Sequence, residues 1–178
     1  MKTIELTQKT NKDVFHDVLW TLYPFRKPLK SDERMHIQNV LVKDGKLYAT
    51  DGSRIHSCNV PFKNGVYRVL KCVKSEILLA ENESVGTDEF PDCKFQLDNS
   101  KTHESAFEMR LVPDAVDPLI AKISRRLYDQ CVNHSFVIDV CRTNGDRDVW
   151  FDVYIPGDNL PVNFENHTKR AAIMPKTI

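Results

Sequence analysis

The stretch that most limits what this chain can fold into is Ile37–Pro61, IQNVLVKDGKLYATDGSRIHSCNVP. Apolar residues run through Ile37, Val40–Val42 and Leu47, and two Asp-Gly pairs, Asp44-Gly45 and Asp51-Gly52, punctuate them. Asp-Gly accepts positive φ at turn positions where β-branched residues do not, so each pair marks a reversal between strands. The pattern predicts a three-stranded meander near residues 36–60, with small and polar residues at its second turn. Taken alone, it predicts a sheet and no chemistry.

The rest of the chain sets the context. Its 178 residues suffice for one good core, and a single domain over 1–178 is expected. Apolar content of 41% and charged content of 28% are those of an ordinary globular protein. No apolar run approaches the roughly 18 residues of a membrane span, and MKTIELTQKT lacks the apolar segment of a signal peptide. Cys58, Cys72, Cys93, Cys131 and Cys141 are odd in number and form no CxxC pair, which suits reduced thiols in a cytoplasm better than a disulfide framework or a zinc site. Net charge is zero, so any nucleic-acid contact has to come from a local patch.

Thr3–Thr7 reads as a strand. Thr10 or Asn11 can cap a helix whose Phe15, Val18, Leu19 and Leu22 fall at i, i+3, i+4, i+7. Pro24 and Pro28 end it, followed by a basic loop, Phe25–Arg34. Beyond the meander, Val66–Leu70 reads as a fourth strand, and Val73, Ile77 and Leu78 as a short amphipathic turn of helix. Glu81–Asp92 is acidic and turn-rich, and Lys94–Leu97 and Ala106–Leu111 read as strands. A second helix starts with Asp117 as N-cap and Pro118 at the first helical position. Leu119, Ile120, Ile123 and Leu127 line one of its faces, and Lys122, Arg125, Arg126 and Asp129 another. Ser135–Thr143, Val149–Ile155 and Lys169–Pro175 read as strands. The whole is α+β: strand, helix and three strands, twice, in halves near 1–61 and 105–178, with 62–104 as a connecting strand, helix and loop segment.

Four stretches, in order, resemble one family. Ala49–Ile55, ATDGSRI, resembles the Ala-Thr-Asp-Gly-His-Arg-Leu segment in the middle domain of the bacterial DNA polymerase III β sliding clamp. Val66–Leu79, VYRVLKCVKSEILL, resembles that domain's next strand and short helix; Glu89-Phe90-Pro91-Asp92 resembles the Phe-Pro-Asp that ends it. Ala172–Ile178, AIMPKTI, resembles the Val-Met-Pro-Met-Arg-Leu tail of the clamp chain. The chain is similar to a divergent, shortened clamp, as an accessory or phage-type replication protein would be. The doubled strand–helix–three-strand unit is how a clamp domain is built, and a clamp-like alignment would make Phe136–Cys141 helical instead of extended.

The resemblance implies a non-enzymatic cytoplasmic protein of DNA replication or repair, with no cofactor. Clamps dock short linear peptides of a polymerase or other clamp-binding protein in an apolar pocket. Here the pocket would take Thr50, Gly52, Arg54 and Ile55 from the turn, Leu70 and Val73 from the strand–helix stretch, and Ile173, Met174 and Pro175 from the tail. Gly52 would let a ligand backbone approach, Arg54 would offer its stem as wall and its fork to a peptide carbonyl, and Met174 an adaptable floor. Ser53 stands where the family has His, Leu70 where Pro is common, and Lys176 where the tail has a second Met. Without the resemblance, Ile55, Leu70, Val73, Ile173 and Met174 read as core residues of adjoining strands. Clamps also encircle double-stranded DNA with helices that present cations to phosphates. Lys122, Arg125 and Arg126 fit that role, though a charge stripe is also what any solvated helix face carries. One chain of this length would need to form a homo-oligomer to close a ring.

An enzyme is the alternative. Asp139, Asp146, Asp148 and Asp152 could hold a divalent cation in a small metal-dependent nuclease or hydrolase, although turn and edge solvation explain them more simply. The six histidines show neither HxH nor HExxH spacing. His56 and Cys58 would share a strand face about 7 Å apart, with no nucleophile motif around them.

Overall fold

The structure, a computed structural model, describes residues 2–26, 39–98, 106–111, 116–127, 130–142, 149–155 and 160–177. The chain forms two compact units, Met1–Asp92 and Cys93–Ile178.

In the first unit the meander forms as predicted: β2 (Asn39–Lys43), β3 (Lys46–Thr50) and β4 (Arg54–Asn59) pair antiparallel in succession. Asp44 and Gly45 turn the first hairpin with φ of 53° and 72°, the two positive values that a two-residue turn matched to strand twist requires. β1 (Thr3–Thr7), β5 (Gly65–Val73) and β6 (Glu76–Glu81) complete an antiparallel sheet in the order β1-β6-β5-β2-β3-β4. Helix α1 (Lys12–Thr21) lays Phe15, Val18 and Leu19 on this sheet, and Leu22 follows at its C-cap. They pack with Val40, Val42, Leu47, Ala49, Cys58, Ile77 and Leu79. Each such buried side chain contributes roughly 1.5–3 kcal/mol, so the four periodic residues suffice to hold the helix down. Asn11 occupies the N-cap without a side-chain cap bond; instead the Thr10 hydroxyl donates to Asn11 Oδ1 at 2.8 Å.

Residues 73–78 are not helical. Val73 pairs with Glu76 across a two-residue turn, and Ile77 is core while Val73 is exposed. The i, i+4 spacing of Val73 and Ile77 mimics a helix, but alternation across a hairpin satisfies it equally. Where β5 meets β6, the register shifts between Val69 and Lys71, leaving Leu70 as the extra residue of a bulge.

The second unit holds α2 (Cys93–Asp98), β7 (Ala106–Leu111), α3 (Val116–Leu127), β8 (Gln130–Cys131), α4 (His134–Cys141), β9 (Val149–Tyr154), β10 (Val162–Glu165), β11 (Lys169–Ile173) and β12 (Lys176–Thr177). Its main sheet runs β11-β10-β9-β7, all antiparallel, and β12 pairs with β8. Residues 94–97 are helix rather than strand: Phe95 and Leu97 alternate, but Cys93 and Leu97, four apart, share the buried side. Residues 135–141 are helix too. Asn133 caps α4, its Oδ1 accepting the Ser135 N–H at 3.0 Å, and Val137, Val140 and Cys141 are buried on one face. α3 starts one residue ahead of the expected cap, so Asp117 and Pro118 lie in its first turn, where proline's missing N–H costs no hydrogen bond. Among the described residues no helix is long and apolar enough to cross a membrane.

Candidate docking pocket and basic helix face

The Thr50–Arg54 turn is locked by its own side chains. Thr50 Oγ1 donates to the Arg54 carbonyl at 2.8 Å and accepts the Gly52 N–H at 3.1 Å. Asp51 Oδ1 accepts the N–H groups of Ser53 and Arg54 at 3.0 and 3.1 Å, the Asx-turn that aspartate favours. Gly52 sits at φ +85°, a conformation in which a Cβ is strained, and it is exposed. Arg54 is only 4% exposed. Its Nε donates to Asp51 Oδ2 at 3.0 Å and its Nη2 to the Tyr23 carbonyl at 3.3 Å, so the guanidinium ties the turn to the 3-10 turn that follows α1. The fork is thus turned inward and engaged by its own chain.

Leu70 and Val73, at 49% and 43% exposure, are among the largest exposed apolar side chains, and Ile55 is half-buried. Register puts Leu70 and Val73 beyond the Asn39–Arg68 pair, at the same end of the sheet as the Thr50–Arg54 turn; they lie two to three strand spacings to its side, about 10–14 Å, and Val73 also stands roughly 17 Å past that pair along its strand. In the second unit Ile173 closes β11 opposite Val162 and is fully buried, so it is core of that sheet. Met174 is exposed and Pro175 half-buried, between β11 and β12.

On α3, Val116, Leu119 and Ile123 are buried, while Lys122 and Arg125 are exposed. The Arg126 side chain lies outside the described residues. Lys122 Nζ stands 3.5 Å from the centre of the Phe107 ring, a cation–π contact that fixes one of the three expected phosphate ligands against β7.

The alternative chemistry is less supported. Asp146 and Asp148 lie outside the described residues; Asp139 is on α4, 3.7 Å from Arg142, and Asp152 is on β9. Among the described residues no group of three or more His, Cys, Asp or Glu could hold a metal ion. His56 and Cys58 are both buried beneath α1. His56 Nδ1–H donates to the Trp20 carbonyl at 3.2 Å, its ring lies 4.5 Å from that of Trp20, and Nε2 has no partner. Burial, with the Arg54 charge adding to it, drives the imidazole's pKa down to about 3 against a weaker opposing effect of the Trp20 bond. It is a core histidine.

The fold so built is that of the bacterial DNA polymerase III beta sliding clamps. Three solved structures give the measure of the likeness. The beta subunit of Thermotoga maritima matches over 99% of this chain and 65% of its own, at TM-score 0.58 and 10% identity. The beta sliding clamp of C. crescentus matches over 100% and 66%, at 0.59 and 10%. The polymerase sliding clamp of Pseudomonas aeruginosa matches over 99% and 67%, at 0.57 and 13%. The chain thus spans just under two thirds of the length of the first two. No protein-family model and no curated protein matches the sequence.

Proposed function

We propose that this chain is a non-enzymatic replication or repair protein of the sliding-clamp kind, a processivity factor that captures short linear peptides of a polymerase or another clamp-binding protein. The observation that carries this reading is a rigid, glycine-bearing turn at the point of a clamp fold where the resemblance puts the peptide pocket. Thr50 and Arg54 hold the turn from within, so Gly52 and Ile55 present a fixed edge, and Arg54 serves by positioning rather than by reaching out. Leu70 and Val73 are the exposed apolar groups of this unit that such a pocket needs, and exposed apolar side chains of this size mark contact surfaces more than core. In the second unit Met174 is a further exposed apolar group, followed by Pro175 and preceded by the buried Ile173 that ends β11. The exposed cations Lys122 and Arg125 of α3, together with Arg126 next in sequence, are its contacts to double-stranded DNA. The five cysteines, all free, suit a reducing cytoplasm.

The test is fluorescence anisotropy with a labelled peptide carrying a generic clamp-binding motif. The wild-type chain should bind it saturably without metal, and Gly52→Arg should abolish binding. Because arginine is strained at φ +85°, Leu70→Ala serves as the second variant; it should weaken binding about tenfold with an unchanged melting temperature. A wild-type protein that ignores the peptide would remove the pocket.

A further inference from the structure

Beyond the Asn39–Arg68 pair, β5 carries an apolar strip with a cation at either end. Tyr67 and Val69 face the core beneath α1, so Val66 and Arg68 face the other way. The bulge then shifts the alternation. With Leu70 as the extra residue, Cys72 returns to the core side, and Leu70, Lys71 and Val73 all fall on the outer face. Leu70 and Lys71 stand together over the half-buried Leu78 of β6, and Val73 stands opposite Glu76. On this same face Leu41, Tyr48 and Val66 are buried, whereas Leu70 and Val73 are exposed. The apolar character of the central strands thus continues into an end that stands open.

The charges around the strip are of two kinds. Lys71 is engaged by Glu76 in an ion pair across the hairpin, so those two cancel. Arg68 and Lys74 are exposed, and neither side chain has an ion-pair partner among the described residues. Lys9 joins Lys74: the Gln8 N–H donates to the Ser75 carbonyl at 3.4 Å, which sets the β1–α1 loop beside this turn, and Lys9 is exposed too. Glu5 of β1, in row with Leu78, is the one carboxylate at this end of the face without a partner among the described residues. Arg68, the Leu70 row and Val73 succeed one another at about 7 Å, since they oppose Ala80, Leu78 and Glu76 of β6.

We propose that the segment captured by this strip is acidic: an extended stretch of a partner protein with aliphatic residues at alternate positions on Leu70 and Val73, and a carboxylate at either end, on Arg68 and on Lys74 with Lys9. This rests on the pocket reading for the kind of ligand, a linear peptide, and adds the sequence it prefers. Alternate side chains of an extended segment also repeat at about 7 Å, so one such segment meets all three rows. Burial of Leu70 and Val73 supplies the affinity, and the cations choose among aliphatic segments, because exposed ion pairs add little energy but set charge preference. Arg68 is suited to this, its guanidinium forking onto a carboxylate through parallel N–H donors. A nucleic-acid backbone would meet the same cations but gives Leu70 and Val73 nothing to bury against.

The full-length chain is titrated with a fluorescein-labelled heptapeptide, Asp-Thr-Leu-Thr-Leu-Thr-Asp, whose side-chain order is the same in either strand direction. Saturable one-to-one binding is expected, about tenfold tighter than for the counterpart with lysine at both ends. Arg68→Glu with Lys74→Glu should invert that preference, with an unchanged melting temperature because both side chains are exposed. Val73→Ala should weaken both charge forms alike. Absence of saturable binding overturns the proposal. So does equal affinity for the two peptides, or a preference that the double reversal leaves in place, which is attraction to charges elsewhere. Stoichiometric displacement by a DNA duplex overturns it as well, as does Leu70-dependent self-association without peptide, which makes a second copy of the chain the occupant. The generic clamp-motif peptide separates this from failure of the pocket. If that peptide binds and the heptapeptide does not, the acidic preference falls and the pocket stands. If only the heptapeptide binds, and its preference inverts, the strip is a site of its own and the pocket falls.

Discussion

His56 shows how much one side chain reveals about its surroundings. It is buried against Trp20 with one nitrogen bonded and the other bare, so protonating it in the folded state means charging a group that has no water and stands near Arg54. Its folded pKa of about 3 lies below the unfolded value of 6.5, so the unfolded chain binds the extra proton first. The stability linked to this residue is therefore complete above pH 6.5 and falls as pH drops toward 3. Between pH 7 and pH 5 the loss is about 2 kcal/mol. Urea unfolding at both values should show that loss in the wild type and not in His56→Leu; equal pH dependence in the two would mean the imidazole charges without cost. The turn beside it was readable in the sequence as far as local chemistry goes. Asp51-Gly52 signals a reversal by itself, because the conformation it adopts is the one those residues favour. The direction of Arg54 was not readable, since it depends on Tyr23, thirty-one residues away in sequence and adjacent only once α1 has packed.

Among the elements, the readable ones are those whose signals are local and unambiguous. α1 and α3 carry four-residue apolar periodicity over several turns, and the Asp44-Gly45 hairpin carries its own turn. The β5–β6 hairpin escaped because its turn, Lys74-Ser75, contains neither Gly nor Asn; Asp44 alone among the described non-glycine residues has positive φ, so this turn demands no special residue and leaves no mark. α2 and α4 are short, and for six to eight residues an alternating and a helical apolar pattern overlap. Asn133 followed by Ser135 was the cap signal that α4 offered. For α3 the consequence concerns DNA. Arg125→Glu with Arg126→Glu should weaken retention of a duplex at low salt and flatten the dependence of log K on log salt by roughly one to two. Lys122→Ala should do less to DNA binding than either arginine change, its ammonium being already engaged with Phe107, and cost up to about 1 kcal/mol of stability. Unchanged retention in the double variant takes α3 out of the DNA reading.

At the scale of the molecule the proposed clamp role turns on association. These 178 residues match about two thirds of a clamp chain, and a ring built from them alone takes several copies. A net charge of zero makes the same point from electrostatics: without a ring to trap the DNA, nothing in the overall charge would keep the protein on it. Peptide capture carries no such requirement, because the Thr50–Arg54 turn, Leu70 and Val73 lie in one unit of one chain. Light scattering with and without the clamp-motif peptide separates the two. For a working clamp the mass should be a fixed multiple of 20.6 kDa, and the assembly should stay on a closed circular duplex in high salt and slide off once the circle is cut. High salt matters because it suppresses the phosphate attraction of α3 and leaves only topology to hold the ring. A monomer that binds the peptide and leaves circle and linear duplex alike would be a capture protein with a clamp's fold, drawing on the pocket and never on the ring.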